Sequence, residues 1–99
     1  MELFLSCSTF LGYGRDVLED AVEEYLGSKA EVTGGGAGNR GWNVDIDVVR
    51  EIDECELRDF CRFLIGFGVA PHALLELYSD GVPKRRLVIG EFSDLGSSE

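Results

Sequence analysis

The chain has 99 residues, enough for one domain around one modest core without disulfide or metal support. Nine Lys and Arg stand against nineteen Asp and Glu, a net charge of −10, which opposes nucleic-acid binding and favours basic partners. A hydrophobic content of 44% excludes a disordered chain, and no apolar run approaches the roughly 20 residues of a membrane span.

Glu2 to Ser8 is a short apolar run that reads as a first strand. The start Met1 to Cys7 superficially resembles the end of a lipoprotein signal, but the segment carries Glu2, has no basic start and lacks an apolar stretch of about 7–15 residues. Gly12-Tyr13-Gly14 punctuates the chain. Asp16 to Leu26 has helical periodicity: Val17, Leu18, Ala21, Val22, Tyr25 and Leu26 share one half of the wheel, and Asp16, Glu19, Asp20, Glu23 and Glu24 the other. Gly27-Ser28 stops it. Ala30 to Thr33 predicts a short strand, and Trp42 to Val49 a strand alternating Trp42, Val44, Ile46 and Val48 with Asn43, Asp45 and Asp47. The glycine-rich stretch Gly34–Gly41 between them is expected to be a hairpin connection with positive φ angles.

Asp53-Glu54-Cys55-Glu56 has the Asp-x-x-Glu pattern of a capped helix start, followed by Leu57, Phe60, Cys61, Leu64 and Ile65 at helical spacing. Gly66 and Gly68 end that helix. Ala73 to Ser79 and Arg85 to Gly90 predict two strands around an Asp80-Gly81 turn, with a third helix from Pro71 to Tyr78 as the competing assignment. Residues 1–92 are expected to form one domain and residues 93–99 a flexible tail. The order β-α-β-β-α-β-β predicts an α+β fold, a ferredoxin-like sandwich of an antiparallel sheet with two helices on one face. Asn43, Asp45 and Asp47 then point to the open face.

Gly36-Ala37-Gly38-Asn39-Arg40-Gly41 fits G-x-G-x-x-G, but a strand follows it where a phosphate site needs a helix. At Gly12-Tyr13-Gly14 a helix does follow, yet its first turn is acidic and repels anions. Asp45 and Asp47, with Glu76 if in register, are paired carboxylates without the dense ligand loop of a calcium site. His72 is the one histidine, and no family signature surrounds Cys7, Cys55 or Cys61. The three cysteines make neither a disulfide framework nor a zinc set. They are expected to be reduced thiols of a cytoplasmic protein, Cys7 and Cys61 in its core. No nucleophile–base or metal set is evident, so neither an enzyme nor a cofactor is expected. An RNA-recognition role is opposed by the charge and by Asn43, Asp45 and Asp47 on the central strand. Lys84-Arg85-Arg86 is assigned to guarding a sheet edge.

Size, acidity and compact α/β order resemble the small acidic immunity proteins that bacteria pair with secreted toxins, many of them nucleases. The resemblance implies a cytoplasmic inhibitor that binds a basic toxin one to one, without contacting nucleic acid or membrane. Asp16, Glu19, Asp20, Glu23, Glu24, Asp45 and Asp47 would meet the partner, and Tyr13 or Tyr78 would anchor it. The strand order also resembles the amino-acid-binding ACT domains. That likeness implies a homodimeric ligand sensor, with the Gly34–Gly41 loop shaping an interfacial pocket.

Overall fold

The computed structural model of the chain describes residues 1–9, 11–38 and 41–94. Its elements are β1 (Glu2–Cys7), α1 (Arg15–Leu26), a 3₁₀ turn (Gly27–Lys29), β2 (Ala30–Gly38), β3 (Gly41–Val48), α2 (Glu54–Gly66), β4 (Leu74–Ser79), β5 (Val82–Val88) and α3 (Ile89–Asp94). The fold is α+β: a five-stranded antiparallel sheet in the order β2-β3-β1-β4-β5 with three helices.

Strand alternation decides which face is covered. Leu3 pairs with Ile46 and Leu77, and Leu5 with Val44 and Leu75, so these apolar residues point to one side. They are fully or almost fully buried, in one cluster with Leu18 and Val22 of α1, Leu57, Phe60, Cys61 and Leu64 of α2, and Ile89 and Phe92. All three helices therefore pack on this side. Tyr25 of α1 stacks on Phe63 of α2 with ring centroids 4.3 Å apart.

Local chemistry accounts for the element boundaries. Helix α2 starts on a complete capping box: Glu56 N donates to the Asp53 carboxylate (2.8 Å) and Asp53 N donates to the Glu56 carboxylate (3.4 Å). Asp80 and Gly81, with φ of 54° and 77°, supply the two positive φ values of a type I′-like hairpin between β4 and β5. Tyr13 donates to Phe67 O at 2.6 Å and packs edge-on against the Phe67 ring, tying the β1–α1 loop to the end of α2.

The structure differs from the sequence expectations in three places. The glycine run is not a loop: Gly34 to Gly38 lie in β2, paired with Asp45 to Gly41, and Asn39 and Arg40 lie outside the described residues. Among the described glycines of this run only Gly41 has positive φ, at 120°. The missing side chains serve close approach instead, since a Cβ on Gly35 would lie 2.5 Å from Asn43 O. The last strand begins at Val82 rather than Arg85, because the tight hairpin leaves only two residues out of pairing. The segment from Leu74 is the strand expected over Ala73 to Ser79, not the competing helix, and is held by pairing on both sides. Finally, Ile89 to Asp94 form α3, driven by burial of Ile89 and Phe92. Ser93, expected in a loose tail, is helical and 4% exposed, and residues 95–99 lie outside the described ones.

Candidate partner-binding surface

No described element covers the second face of the sheet. Its side chains fall into three rows across the strands. Glu31, Asp47, Glu2 and Tyr78 form the first; Gly34, Asp45, Phe4, Glu76 and Arg86 the second; Gly36, Asn43, Ser6, Leu74 and Val88 the third. Asp45, Asp47 and Glu76 thus share this face, as their alternation predicts. Asp45 and Glu76 are not a close pair, because Phe4 on β1 separates them by two strand spacings, about 9–10 Å. Five carboxylates (Glu2, Glu31, Asp45, Asp47, Glu76) face one guanidinium, Arg86, among the described residues of the three rows. Phe4 and Tyr78 meet edge to face at 5.0 Å in the middle.

Two features of these rows run against stability. Glu31–Asp47 and Asp47–Glu2 place like charges directly opposite, a destabilising arrangement. Phe4, Leu74, Tyr78 and Val88 leave apolar surface only half covered. On β2 the open side carries no side chain at Gly34 or Gly36, which exposes backbone next to Asp45 and Asn43.

The α1 acids are elsewhere. Helix α1 packs on the covered face, so Asp16, Glu19, Asp20, Glu23 and Glu24 belong to the opposite side of the molecule from Asp45 and Asp47. The seven sequence-predicted residues do not form one surface. Two of the α1 acids also hold structural partners. Arg15, the first residue of α1, pairs with Glu19 at 2.8 Å, so a cation at the start of the helix offsets part of its acidic face. Glu23 accepts from Val32 N (3.3 Å), occupying an outward N–H of the edge strand β2. Asp16, Asp20 and Glu24 are exposed. Of the two candidate aromatic anchors, Tyr13 is engaged by Phe67, and Tyr78 lies on the open face.

Glu2, Glu31 and Phe4 escaped the sequence reading. Their alternation within Glu2–Cys7 and Ala30–Gly38 was the available signal, but only the register across three strands makes them neighbours of Asp45 and Asp47.

Arg50, Lys29 and Arg85 are engaged away from these rows. Arg50 donates through both Nη atoms to the Glu56 carboxylate (3.2 and 3.1 Å), with Lys29 3.6 Å from it. The Arg50 hydrogen bond, then the Asp53 N–H, hold Glu56 below the usual carboxylate range. Lys84-Arg85-Arg86 do lie on an edge strand, β5. Arg85 turns to the helix side, where it pairs with Glu54, lowering that carboxyl's pKa, and sits 4.8 Å from the Phe92 ring centroid. Arg86 lies opposite Glu76 on the open face.

All three cysteines are free thiols, with Cys7 and Cys61 buried as expected and Cys55 exposed. Burial pushes Cys61 up to about 11. No group of three or more His, Cys, Asp or Glu gathers to hold a metal ion among the described residues, and no described helix is long and apolar enough to cross a membrane. No family model matches the chain, and neither a curated protein nor a solved structure matches it.

Proposed function

We propose that the chain is a stoichiometric protein inhibitor of the immunity-protein kind, acting in the cytoplasm on a basic protein such as a toxin nuclease domain. The open sheet face is its contact surface. One observation carries the reading: an uncovered sheet face combines five carboxylates, two of their contacts repulsive, with a central Phe4–Tyr78 pair. A face selected for stability would mix signs. A basic partner relieves the repulsion on docking, and the aromatic pair supplies the apolar centre that interface hot spots use. The α1 acids extend the negative field and speed encounter without being the main contact. Nucleic acid is disfavoured on the same face, because Asp45 and Glu76 flank Phe4 and would repel phosphate. The inhibitor acts by occupying a groove, so it needs no catalytic group or cofactor.

We further infer a ferredoxin-like sandwich extended by β5. Its support is that β1-α1-β2 and β3-α2-β4 each cross over one intervening strand. The ACT-like homodimer shares that support. Its expected pocket loop, however, falls largely within β2, which leaves the inhibitor as the better-supported reading.

The test is affinity capture from the native host at low salt, elution at high salt, and assay of the eluted protein. A basic protein bound one to one, whose nuclease activity is suppressed by adding the chain back, is the expected result. A chain that elutes alone as a dimer carrying a small molecule overturns the proposal in favour of the sensor.

A further inference from the structure

A second cluster lies at the end of the sheet. Cys7 is the last residue of β1, His72 stands in the turn before β4, and Thr9 follows β1. Cys7 Sγ lies 3.6 Å from His72 Nε2 and accepts Thr9 N–H at 3.4 Å. The Thr9 hydroxyl is 2.8 Å from the same Nε2. With the ring proton on Nδ1, the single lone pair of Nε2 can accept from either the thiol or the hydroxyl.

Both sides of this contact are fixed by backbone. Trp42 Nε1 donates to Thr9 O at 2.9 Å, and a Cβ on Gly41 would lie only 2.0 Å from Cys7 O, so β3 presses against the Cys7–Thr9 segment. On the other side Gly90 N donates to Pro71 O (2.9 Å) and Ala73 N to Ala70 O (3.0 Å), holding the turn that carries His72. Such support on both partners is what a nucleophile–base pair requires. The pair borders a cavity of about 240 Å³ lined by Ser6, Cys7, Ser8, Trp42, His72 and Leu74. Cys7 lines that cavity and is 7% exposed, whereas Cys61 is 0% exposed.

We propose that Cys7 is a reactive thiol, with His72 as its general base, and that the cavity takes a small uncharged carbon electrophile. The Cys7 S–H bond breaks and its proton passes to His72 Nε2. The sulfur lone pair forms an S–C bond, and the electrophile's leaving group departs with the electrons of the bond it loses. The Thr9 N–H stabilises the charge developing on sulfur. This site borders the third row of the open face through Ser6 and Leu74, and it does not depend on the inhibitor reading.

Residue-resolved mass spectrometry of the folded full chain treated with iodoacetamide tests it, with iodide as the leaving group. Cys7 is expected to alkylate at least about tenfold faster than Cys61, and His72→Asn to slow Cys7 about tenfold or more while leaving Cys55 unchanged. Thr9→Val removes the hydroxyl that competes for Nε2 and should keep or raise the Cys7 rate. It supplies the second variant should His72→Asn not fold, and a Cys7 rate lost on Thr9→Val contradicts the assignment. Alkylation of Cys7 no faster than Cys61, or a Cys7 rate unaffected by folded His72→Asn, overturns it.

Discussion

Asp47→Lys reverses the middle charge of the Glu31–Asp47–Glu2 row and should stabilise the fold while weakening partner binding. Asp47 faces Glu31 on β2 and Glu2 on β1. A cross-strand charge pair is worth roughly 0.2–1 kcal/mol, so converting two repulsive contacts to attractive ones gains on the order of 1 kcal/mol. For a domain of this size that raises Tm by about 4–8 °C. The gain is electrostatic and solvent-exposed, so it should shrink at about 1 M salt, where the Debye length is roughly 3 Å. Asp47→Asn removes the repulsion without adding attraction and should fall between wild type and Asp47→Lys. Thermal melts of the three proteins at low and high salt measure this directly. An unchanged or lower Tm for Asp47→Lys at low salt, or a gain that salt leaves intact, refutes the claim that the row stores like-charge repulsion.

Three further outcomes are expected. Gly41→Ala should lower stability by about 2–5 kcal/mol in denaturant titration, because φ is 120° and a Cβ would meet Cys7 O at 2.0 Å. Cys61 should resist alkylation in the folded chain at pH 8.5. Its thiol holds its proton to about 11 when folded, against an ordinary value near 9, so its contribution to stability is full below pH about 9 and falls as pH rises toward 11. Glu56→Gln keeps the capping-box geometry but loses the charge facing Arg50 and Lys29. Because the folded carboxyl titrates below its ordinary value, wild-type stability from this group is present above that value and declines as pH falls through the depressed one. Urea melts across acid pH should show a shallower decline for the variant.

The parts legible in the sequence were those with local signals. The Asp53–Glu56 cap, the Asp80-Gly81 turn and the alternation of Trp42 to Val48 each declare their element within a few residues. The glycines of β2 declared the wrong one: without side chains they show no alternation, and their strand state comes from pairing with β3. Helix α3 was hidden because six residues containing Gly90 and Ser93 have little helical signature, and burial of Ile89 and Phe92 decides it. The candidate surfaces needed more. Acidity was visible, but the face of each acid depends on register, which separated Asp45 and Asp47 from the α1 acids and joined them to Glu2, Glu31 and Phe4. Cys7 and His72 are 65 residues apart, and the antiparallel pairing of β1 with β4, Ser6 opposite Leu74, brings them together.

The most direct test of the central claim compares two charge-altered proteins against wild type in binding the basic partner captured from the host. One carries Asp45→Ala, Asp47→Ala and Glu76→Ala on the open face, and the other Asp16→Ala, Asp20→Ala and Glu24→Ala on α1. Titration calorimetry at fixed salt should show the open-face protein losing at least about tenfold in affinity, on the order of 1.4 kcal/mol. The α1 protein should lose little beyond association rate. Equal binding by the open-face protein and wild type, or a loss confined to the α1 protein, would contradict the assignment of the uncovered sheet face as the contact surface.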